Sequence, residues 1–309
     1  MKQDAHWASI NEFTFLAGMR ALFWVCRVLG RWPFRVILYP ILFWYVLTKP
    51  TARQASRKYL QHVAHSKEID TGVLMIVRHF AAFAEMMLDK MLLWSGDFDA
   101  GQVHYFGTDV MGEMIRSKRG AVLMCSHFGN VELCRVLSAR HRELKMTILV
   151  HTKHAQMFNH LLATINPASQ MNLLQVTEIN PATAIMLSER IAQGELVVIA
   201  GDRIPVSSNP RTIATDFLGE SAPFPVGPYI LASVLQCPLF MVFSMKKAAY
   251  EVHFSLLRQS IRLPRNGRDA AIQELIHDYA ASLQEHCLSA PLQWFNFYDY
   301  WNLPKMDKY

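Results

Sequence analysis

Apolar and polar positions follow two different periods along this chain. From residue 51 to about residue 99 the apolar residues recur every three to four positions, which predicts two helices. After Gly96 the pattern changes to short apolar runs separated by stretches with helical spacing. The runs that read as strands are "QVHYFG", "GAVLMCS", "KMTILVH", "NLLQVT" and "ELVVIAG". The stretches between them that read as helices are "TDVMGEMIRSK", "AQMFNHLLATI" and "PATAIMLSERIAQG", the last ending near Gly194.

This alternation of strands and helices predicts an α/β fold with a mostly parallel sheet flanked by helices. Toward the C-terminus, "YILASVLQ" predicts a helix, "PLFMVFSMKK" and "YEVHFSLLR" two strands, and residues 267–290 a closing helix. Two segments have no such periodicity. One is the long stretch "DRIPVSSNPRTIATDFLGESAPFPVGP", which is either functional or disordered. The other is the aromatic tail "PLQWFNFYDYW", which we expect to pack against the core or a membrane.

The N-terminal 50 residues differ from the rest of the chain. They contain two apolar runs, separated by "GRWP"; arginines interrupt the first and Pro40 breaks the second. Neither run has the roughly 18 uncharged apolar residues of a spanning helix, so two helices lying in one leaflet are favoured. A buried helical hairpin and a single span remain alternatives. We therefore divide the chain into a membrane-associated segment, 1–50, and an α/β domain, 51–309. The tryptophans suited to the headgroup region are Trp7, Trp24, Trp32 and Trp44.

Charge and composition support a membrane surface as the partner of this segment. The chain is 51% hydrophobic and 18% charged, with a mean hydropathy of +0.11. Residues 1–60 hold nine basic and two acidic side chains, whereas the other 249 residues hold 22 and 23. Basic side chains among Phe, Trp and Leu favour an anionic membrane over nucleic acid, for which no recognition motif is present.

The five cysteines are widely spaced and include no Cys-x-x-Cys pair, which predicts reduced, buried thiols in the cytosol. The first twelve residues, "MKQDAHWASINE", do not resemble a secretory signal. We therefore expect most of the chain to lie at the cytoplasmic face of the membrane.

Candidate chemistry lies where two predicted strands end. His127 follows "AVLMCS" and the pair Asp202 and Arg203 follows "LVVIAG"; sites of open α/β sheets lie beyond such ends. His127 and Glu132 are five positions apart, about 140° around a helix, so they cannot share a helical face. With His127 in a turn allowed by Gly129 and Asn130, and Glu132 in the first helical turn, the carboxylate can orient the imidazole as a general base. The alternative is a histidine that caps the helix and an acid favoured by its N-terminus.

Other reaction classes have weaker support. The chain has no Gly-x-Ser-x-Gly elbow, no His-Glu-x-x-His motif and no phosphate-binding glycine loop, and its 13 histidines form no metal-ligand spacing. We expect no metal. A base that needs no nucleophile, metal or nucleotide is what the residues favour.

The order of these motifs resembles the lysophospholipid acyltransferase superfamily. "HFGNVE", with Glu in place of the commoner Asp, is most similar to the bacterial lipid A late acyltransferases (lauroyl/myristoyl transferases), and "ARQASRKYL", "RHFAAFAEMMLDKM" and "GDRIP…FLGESAPFPVGPYILA" are similar to that family's other blocks. "GDR" and "QWFNFYD" also resemble the acyltransferases that accompany aryl polyene gene clusters. The Glu-Gly-Thr-Arg block of glycerol-phosphate acyltransferases is absent, which argues against a glycerophosphate acceptor.

The resemblance implies a reaction and roles for individual residues. His127, oriented by Glu132, would deprotonate a lipid hydroxyl that attacks the thioester of an acyl carrier protein, whose phosphopantetheine arrives with the donor, so that no resident cofactor is needed. Arg203 beside Asp202 would contact an acceptor phosphate or the oxyanion, unless the two form a structural ion pair. The other substrate-binding candidates are Asn130, Pro223, Phe224, Pro225 and Gly227. Two alternatives are a lipid-ester hydrolase using the same histidine and a non-catalytic lipid carrier.

Overall fold

The computed structural model describes residues 24–99, 101, 103–134, 145–150, 172–175, 181–204 and 210–302. Within these residues the chain forms seven named helices and nine strands, after a short helical stretch at residues 24–29. The helices are α1 (Arg31–Thr48), α2 (Pro50–Ser66), α3 (Val73–Ser95), α4 (Thr108–Arg116), α5 (Pro181–Ala192), α6 (Gly227–Leu235) and α7 (Arg268–Ser289). The strands are β1 (Val103–Phe106), β2 (Ala121–Cys125), β3 (Met146–Val150), β4 (Asn172–Gln175), β5 (Leu196–Ala200), β6 (Thr212–Phe217), β7 (Glu220–Pro225), β8 (Leu239–Lys246) and β9 (Tyr250–Arg258).

Seven of these strands form one sheet in the order β1-β9-β8-β2-β5-β3-β4. Five neighbouring strands, from β8 to β4, run parallel, while β9 is antiparallel to β8 and β1 is parallel to β9. The central strand β2 is buried along its whole length, as a continuous apolar run in a sheet covered on both faces requires. The predicted α/β fold with a mostly parallel sheet is thus confirmed. The predicted helix "AQMFNHLLATI" lies outside the described residues.

The long stretch rich in Pro, Ser and Gly contains a second, two-stranded sheet, the hairpin β6–β7. Its two-residue turn, Leu218 and Gly219, has positive φ at both positions (54° and 82°), as tight hairpin turns need. A leucine is a poor turn residue, so no hairpin could be recognised from the residues of this turn. Burial of the whole Leu218 side chain and a hydrogen bond from its N–H to the side chain of Gln284 offset this strain.

Helix α1 continues through Pro40, so the predicted break there is wrong. The chain instead breaks at Gly30, whose φ of 88° few other residues adopt. No helix in the described part of the chain is long and apolar enough to cross a membrane. Trp7 and Arg20 of the first apolar run lie outside the described residues.

A buried carboxylate attaches α1 to the rest of the fold. Asp89 of α3 is fully buried and ion-paired with Arg31 of α1 and with Lys246 of β8 (2.6 Å), and it accepts a hydrogen bond from the Tyr250 hydroxyl (2.6 Å). Breaking one partner of such a group is costly because a charge is left buried without compensation. The N-terminal helix is therefore anchored on α3 and the sheet.

The five cysteines are all buried and free, as the sequence predicts. They are Cys26, Cys125, Cys134, Cys237 and Cys287.

Candidate active site

The site is built where the neighbouring strands β2 and β5 end. Their last residues, Cys125 and Ala200, are paired in the parallel register, and the Gly201 N–H donates to the Cys125 carbonyl (2.8 Å). The residues that follow, His127 and Asp202, therefore leave the sheet side by side. This is the crevice at the carboxyl ends of strands where open α/β sheets place their sites.

Asp202 holds His127 through two contacts. The His127 backbone N–H donates to Asp202 Oδ2 (2.8 Å), and the imidazole Nδ1 lies 2.9 Å from Asp202 Oδ1. The carboxylate is fully buried, whereas about a third of the His127 side chain (32%) is exposed. A carboxylate can only accept, so Nδ1 carries the proton and Nε2 keeps a lone pair. This is the tautomer that a general base requires.

The charges around the pair keep the histidine neutral and the aspartate ionised. Burial lowers the pKa of His127 below its usual value, the Arg203 guanidinium lowers it further, and Asp202 acts in the opposite direction. Burial raises the pKa of Asp202, but the His127 contacts and the Trp294 hydrogen bond outweigh it and bring that pKa below its ordinary value. At neutral pH the imidazole is therefore ready to accept a proton.

A glycine sets the turn after His127. Gly129 has φ of +62°, and a side chain there would place its Cβ 1.7 Å from the Ser244 carbonyl oxygen, so only glycine fits. Next to it, Asn130 is 1% exposed and its Oδ1 accepts the Glu132 N–H (3.2 Å). The Asn130 side-chain amide nitrogen is buried and has no hydrogen-bond partner among the described residues.

Glu132 lies in the turn after Asn130, with 7% of its surface exposed. Its carboxylate forms an ion pair with Lys90 of α3 (2.9 Å). It also borders a small cavity whose other lining residues, such as Leu123 and Ile148, are apolar. The acid that contacts Nδ1 of His127 is thus Asp202, while the predicted pairing of His127 with Glu132 stays a prediction.

A buried amide connects Asp202 and Arg203. Asn296 donates its Nδ2 to Asp202 Oδ2 (3.2 Å) and accepts on Oδ1 from Arg203 Nη2 (3.1 Å). The Arg203 guanidinium also lies over the ring of Tyr298, 5.7 Å from its centroid. Arg203 is half-buried as a residue, and its positive charge acts on the imidazole of His127.

Two further residues that donate hydrogen bonds to Asp202 were not assigned a role from the sequence. Besides Asn296, the Trp294 indole N–H donates to Asp202 Oδ2 (2.9 Å), and both side chains are almost completely buried. They come from the aromatic tail, more than 90 residues after Asp202 in the chain. The local signals were the density of aromatic residues, which indicates packing, and the resemblance of "QWFNFYD" to a family block, which assigned no role to either residue.

The family model for bacterial lipid A biosynthesis acyltransferases matches residues 21–302. This protein belongs to that family. A search of curated proteins found no match. The family makes this lipid acyltransferase an enzyme of lipid biosynthesis, and it agrees with the resemblance carried by "HFGNVE" and the downstream blocks.

The candidate acceptor-side residues of this acyltransferase lie on the hairpin and the helix after it. Pro223, Phe224 and Pro225 belong to β7, and Gly227 begins α6. Phe224 is fully buried and packs edge-on against Phe217. Their role in binding an acceptor stays a prediction. In the described part of the acyltransferase no group of His, Cys, Asp or Glu side chains is arranged to hold a metal ion.

A buried histidine, His79, holds the backbone of Trp294. The Ser56 hydroxyl donates to His79 Nδ1 (2.9 Å), and His79 Nε2–H donates to the Trp294 carbonyl (2.9 Å). Burial lowers the pKa of His79 to about 4, with the Trp294 carbonyl acting in the opposite direction. His79 is therefore neutral in the folded acyltransferase at neutral pH, and it fixes the backbone of the tail.

This histidine predicts acid sensitivity. Unfolded His79 has a pKa of about 6.5, so below that pH the unfolded chain binds a proton that the folded chain refuses until about pH 4. The contribution of neutral His79 to the free energy of unfolding is complete above about pH 6.5. It is lost as the pH falls toward 4, by up to about 3 kcal/mol. Urea unfolding from pH 4 to 8 should show a smaller loss in His79→Gln than in the wild type. Exposed His65 provides the control, and equal slopes for wild type and His79→Gln would contradict the prediction.

Proposed function

We propose that this protein transfers an acyl chain from the thioester of an acyl carrier protein to a lipid hydroxyl at the cytoplasmic face of the inner membrane. The observation that carries the proposal is the pairing of His127 with the buried Asp202 in a chain of the lipid A acyltransferase family. The acceptor is a lipid A-like or an aryl polyene lipid. No resident cofactor is needed, because the phosphopantetheine arm comes with the carrier protein.

In the proposed reaction the Nε2 lone pair of His127 removes the proton of the acceptor hydroxyl. The oxygen attacks the thioester carbonyl, the new C–O bond forms, and the C–S bond breaks as the tetrahedral intermediate collapses. The imidazolium returns its proton to the departing thiolate. Asp202 stabilises the imidazolium and keeps its Nδ1 protonated, and a positioned base of this kind contributes about 10² to 10⁴ in rate.

Two further side chains have proposed parts. Glu132 is proposed to help orient His127 as the general base. It lies in the turn after His127, and its carboxylate is buried beside Lys90. Arg203 would contact an acceptor phosphate or the developing oxyanion, because its guanidinium lies next to the His127–Asp202 pair. A well-placed donor to an oxyanion is worth about 10² to 10³ in turnover.

The remaining candidates are proposed to bind substrate. The buried amide nitrogen of Asn130 supports a hydrogen bond to a bound group, since buried donors are rarely left without a partner. Pro223, Phe224, Pro225 and Gly227 would form the wall of the acceptor side.

The direct test uses the purified full chain with acyl carrier protein loaded with a labelled fatty acid. Vesicles contain either a lipid A precursor or an aryl polyene lipid, and mass spectrometry follows both acylated lipid and free fatty acid. Acylated lipid formed only with an added acceptor supports the proposal. Free fatty acid as the product regardless of acceptor would show a hydrolase, and stable lipid binding without turnover would show a carrier.

The membrane part of the proposal rests on the outer face of α1. Arg31 and Arg35 face α3, where they pair with acidic side chains, while the opposite face presents large apolar side chains to the outside. A helix that is apolar on its solvent side and carries basic residues and tryptophans suits the interface of an anionic bilayer. The exposed apolar side chains of α1 are Trp32, Val36, Ile37, Tyr39, Ile41, Phe43, Trp44 and Leu47.

We expect Trp32→Gln and Trp44→Gln each to weaken binding to anionic phospholipid vesicles by about tenfold or more, because a buried apolar contact of this size is worth about 1.5 to 3 kcal/mol. Both side chains are mostly exposed (76% and 69%), so the fold should tolerate the changes. Vesicle flotation of the full chain measures the effect. Ile185→Gln, on the exposed surface of α5, is the matched control, and unchanged binding of both tryptophan variants would reject α1 as the contact face.

A further inference from the structure

The aromatic tail forms a strap across the loop that carries the candidate base. We use the name C-terminal strap for residues 293–296. The Gly129 N–H donates to the Gln293 carbonyl and the Phe295 N–H to the His127 carbonyl (both 2.8 Å), which gives an antiparallel bridge between Phe128 and Trp294. The backbone on both sides of Phe128, directly after His127, is thus hydrogen-bonded to the strap.

The strap is itself fixed by three hydrogen bonds at two anchors outside the loop. The Gln293 side chain exchanges two hydrogen bonds with the Lys246 backbone at the end of β8 (2.8 and 2.7 Å). The Trp294 carbonyl accepts from His79, which is held in turn by Ser56. Because both anchors lie on regular elements of the core, the strap is a rigid support rather than a loose tail.

Two strap side chains act on the aspartate that holds the base. Asp202 Oδ2 accepts three hydrogen bonds, from the His127 backbone, the Trp294 indole and the Asn296 amide. Oδ1 is thereby turned toward the imidazole Nδ1. Three fixed donors on one oxygen leave the carboxylate a single orientation, and that orientation selects the tautomer of His127.

Asn296 adds a second constraint because it bridges two charged groups of opposite sign. Its amide nitrogen donates to Asp202 and its amide oxygen accepts from Arg203. An amide offers a donor to the carboxylate and, on a separate atom, an acceptor to the guanidinium. The distance between the two charges is therefore fixed by one buried side chain.

We propose that Trp294 and Asn296 are positioning residues for the general base His127. This inference rests on the proposed function. The hydrogen bonds to Oδ2 stabilise the negative charge of the Asp202 carboxylate. They therefore also weaken the attraction between this carboxylate and the proton on the imidazole. When one donor is lost, the Asp202 carboxylate is held less firmly and attracts the imidazole proton more strongly. This favours the imidazolium form of His127.

The test compares Trp294→Phe and Asn296→Leu with the wild type in the full chain. Each variant keeps a side chain of similar size and removes the polar contacts. We expect kcat to fall by about 10- to 100-fold with KM changed by less than about threefold, because a hydrogen bond to a charged group is lost without loss of a substrate contact. The acid limb of the rate profile should move to higher pH. Wild-type kcat and an unmoved limb in both variants would overturn the inference.

The tail offers two matched controls. Trp301 donates its indole N–H to the Phe217 carbonyl (3.4 Å), and Asn302 donates its amide to Asp299 (3.4 Å), so each pairs the same residue type with an oxygen outside the site. Trp301→Phe and Asn302→Leu should keep both the wild-type kcat and the wild-type pH profile. An equal loss in the controls would mean that the tail acts only through stability, which would also overturn the inference.

A readout without substrate separates this inference from the proposed function. Nitrogen NMR of histidine-labelled wild type should show His127 protonated on Nδ1 and titrating below an ordinary histidine, and the Trp294→Phe spectrum should show titration at higher pH. If the wild type transfers no acyl chain, the proposed function fails, yet this titration still decides whether the strap positions His127. An identical titration in wild type and both strap variants would reject it.

Discussion

Replacing His127 with alanine is expected to lower acyl transfer by about 10² to 10⁴-fold while the fold is retained. The imidazole is the only proton acceptor that we assign to the acceptor hydroxyl, and its Nδ1 contact with Asp202 leaves Nε2 available. The side chain is partly exposed, so its removal creates little buried cavity. Single-turnover transfer from acyl carrier protein, together with urea unfolding, separates loss of chemistry from loss of stability.

His253 is the matched control for this substitution. Its side chain has the same exposed fraction as His127 (32%) and also lies next to a carboxylate, that of Glu251 (3.1 Å), but on strand β9. His253→Ala should leave turnover within about threefold of the wild type. Because the pKa of His127 lies below its usual value, the acid limb of the wild-type profile should fall below about pH 6.5. Near wild-type turnover in His127→Ala would reject the histidine as the base.

Replacing Asp202 with asparagine is expected to cost about 10⁴ in kcat, the loss that follows when an imidazole is left in the wrong tautomer. Every described contact of the carboxylate comes from a donor, so an amide NH₂ meets a donor in either orientation. When the NH₂ faces Nδ1, the proton moves to Nε2 and the lone pair of the base is lost. Histidine NMR of the variant should show this change of tautomer directly.

Glu132→Gln is the comparison that distinguishes the two acids. The side chain keeps its shape and loses the ion pair with Lys90, whose ammonium is only partly exposed and is left less compensated. We expect a smaller loss of kcat than in Asp202→Asn and an unchanged tautomer of His127, because Asp202 contacts Nδ1 directly. If Glu132→Gln changed the tautomer and Asp202→Asn did not, the orienting role would belong to Glu132.

Much of the fold follows from local pattern. The buried runs of β2 and β8 and the mostly alternating run of β9 were recognisable, because the side chains of a strand are either apolar throughout or alternate every two residues. The end of α5 near Gly194 follows from the glycine's positive φ of 86°. The hairpin β6–β7 was not recognisable, because a leucine in its turn is stabilised by burial in the tertiary structure.

Candidate residues at the ends of strands were also accessible to sequence reasoning. His127 and Asp202 each follow a buried apolar run, and the carboxyl ends of parallel strands meet at one edge of a sheet. That argument brings the two into one crevice but gives no hydrogen bond. The spacing of His127 and Glu132 predicts a contact within one turn, and that contact stays a prediction. The contact of Asp202 with His127 joins residues 75 positions apart, which no spacing could indicate.

By itself, the sequence determined the class of fold, the strand ends that hold the candidate chemistry and the apolar, basic character of the N-terminal segment. These properties depend on neighbouring residues, through side-chain periodicity and local charge. Only the tertiary structure decided which acid holds His127 and that Trp294 and Asn296 hold this acid in turn. Those contacts join segments that are far apart in the chain. Their geometry is fixed by the pairing of β2 with β5 and by the docking of the tail on the His127 loop, and neither can be read from a local sequence pattern.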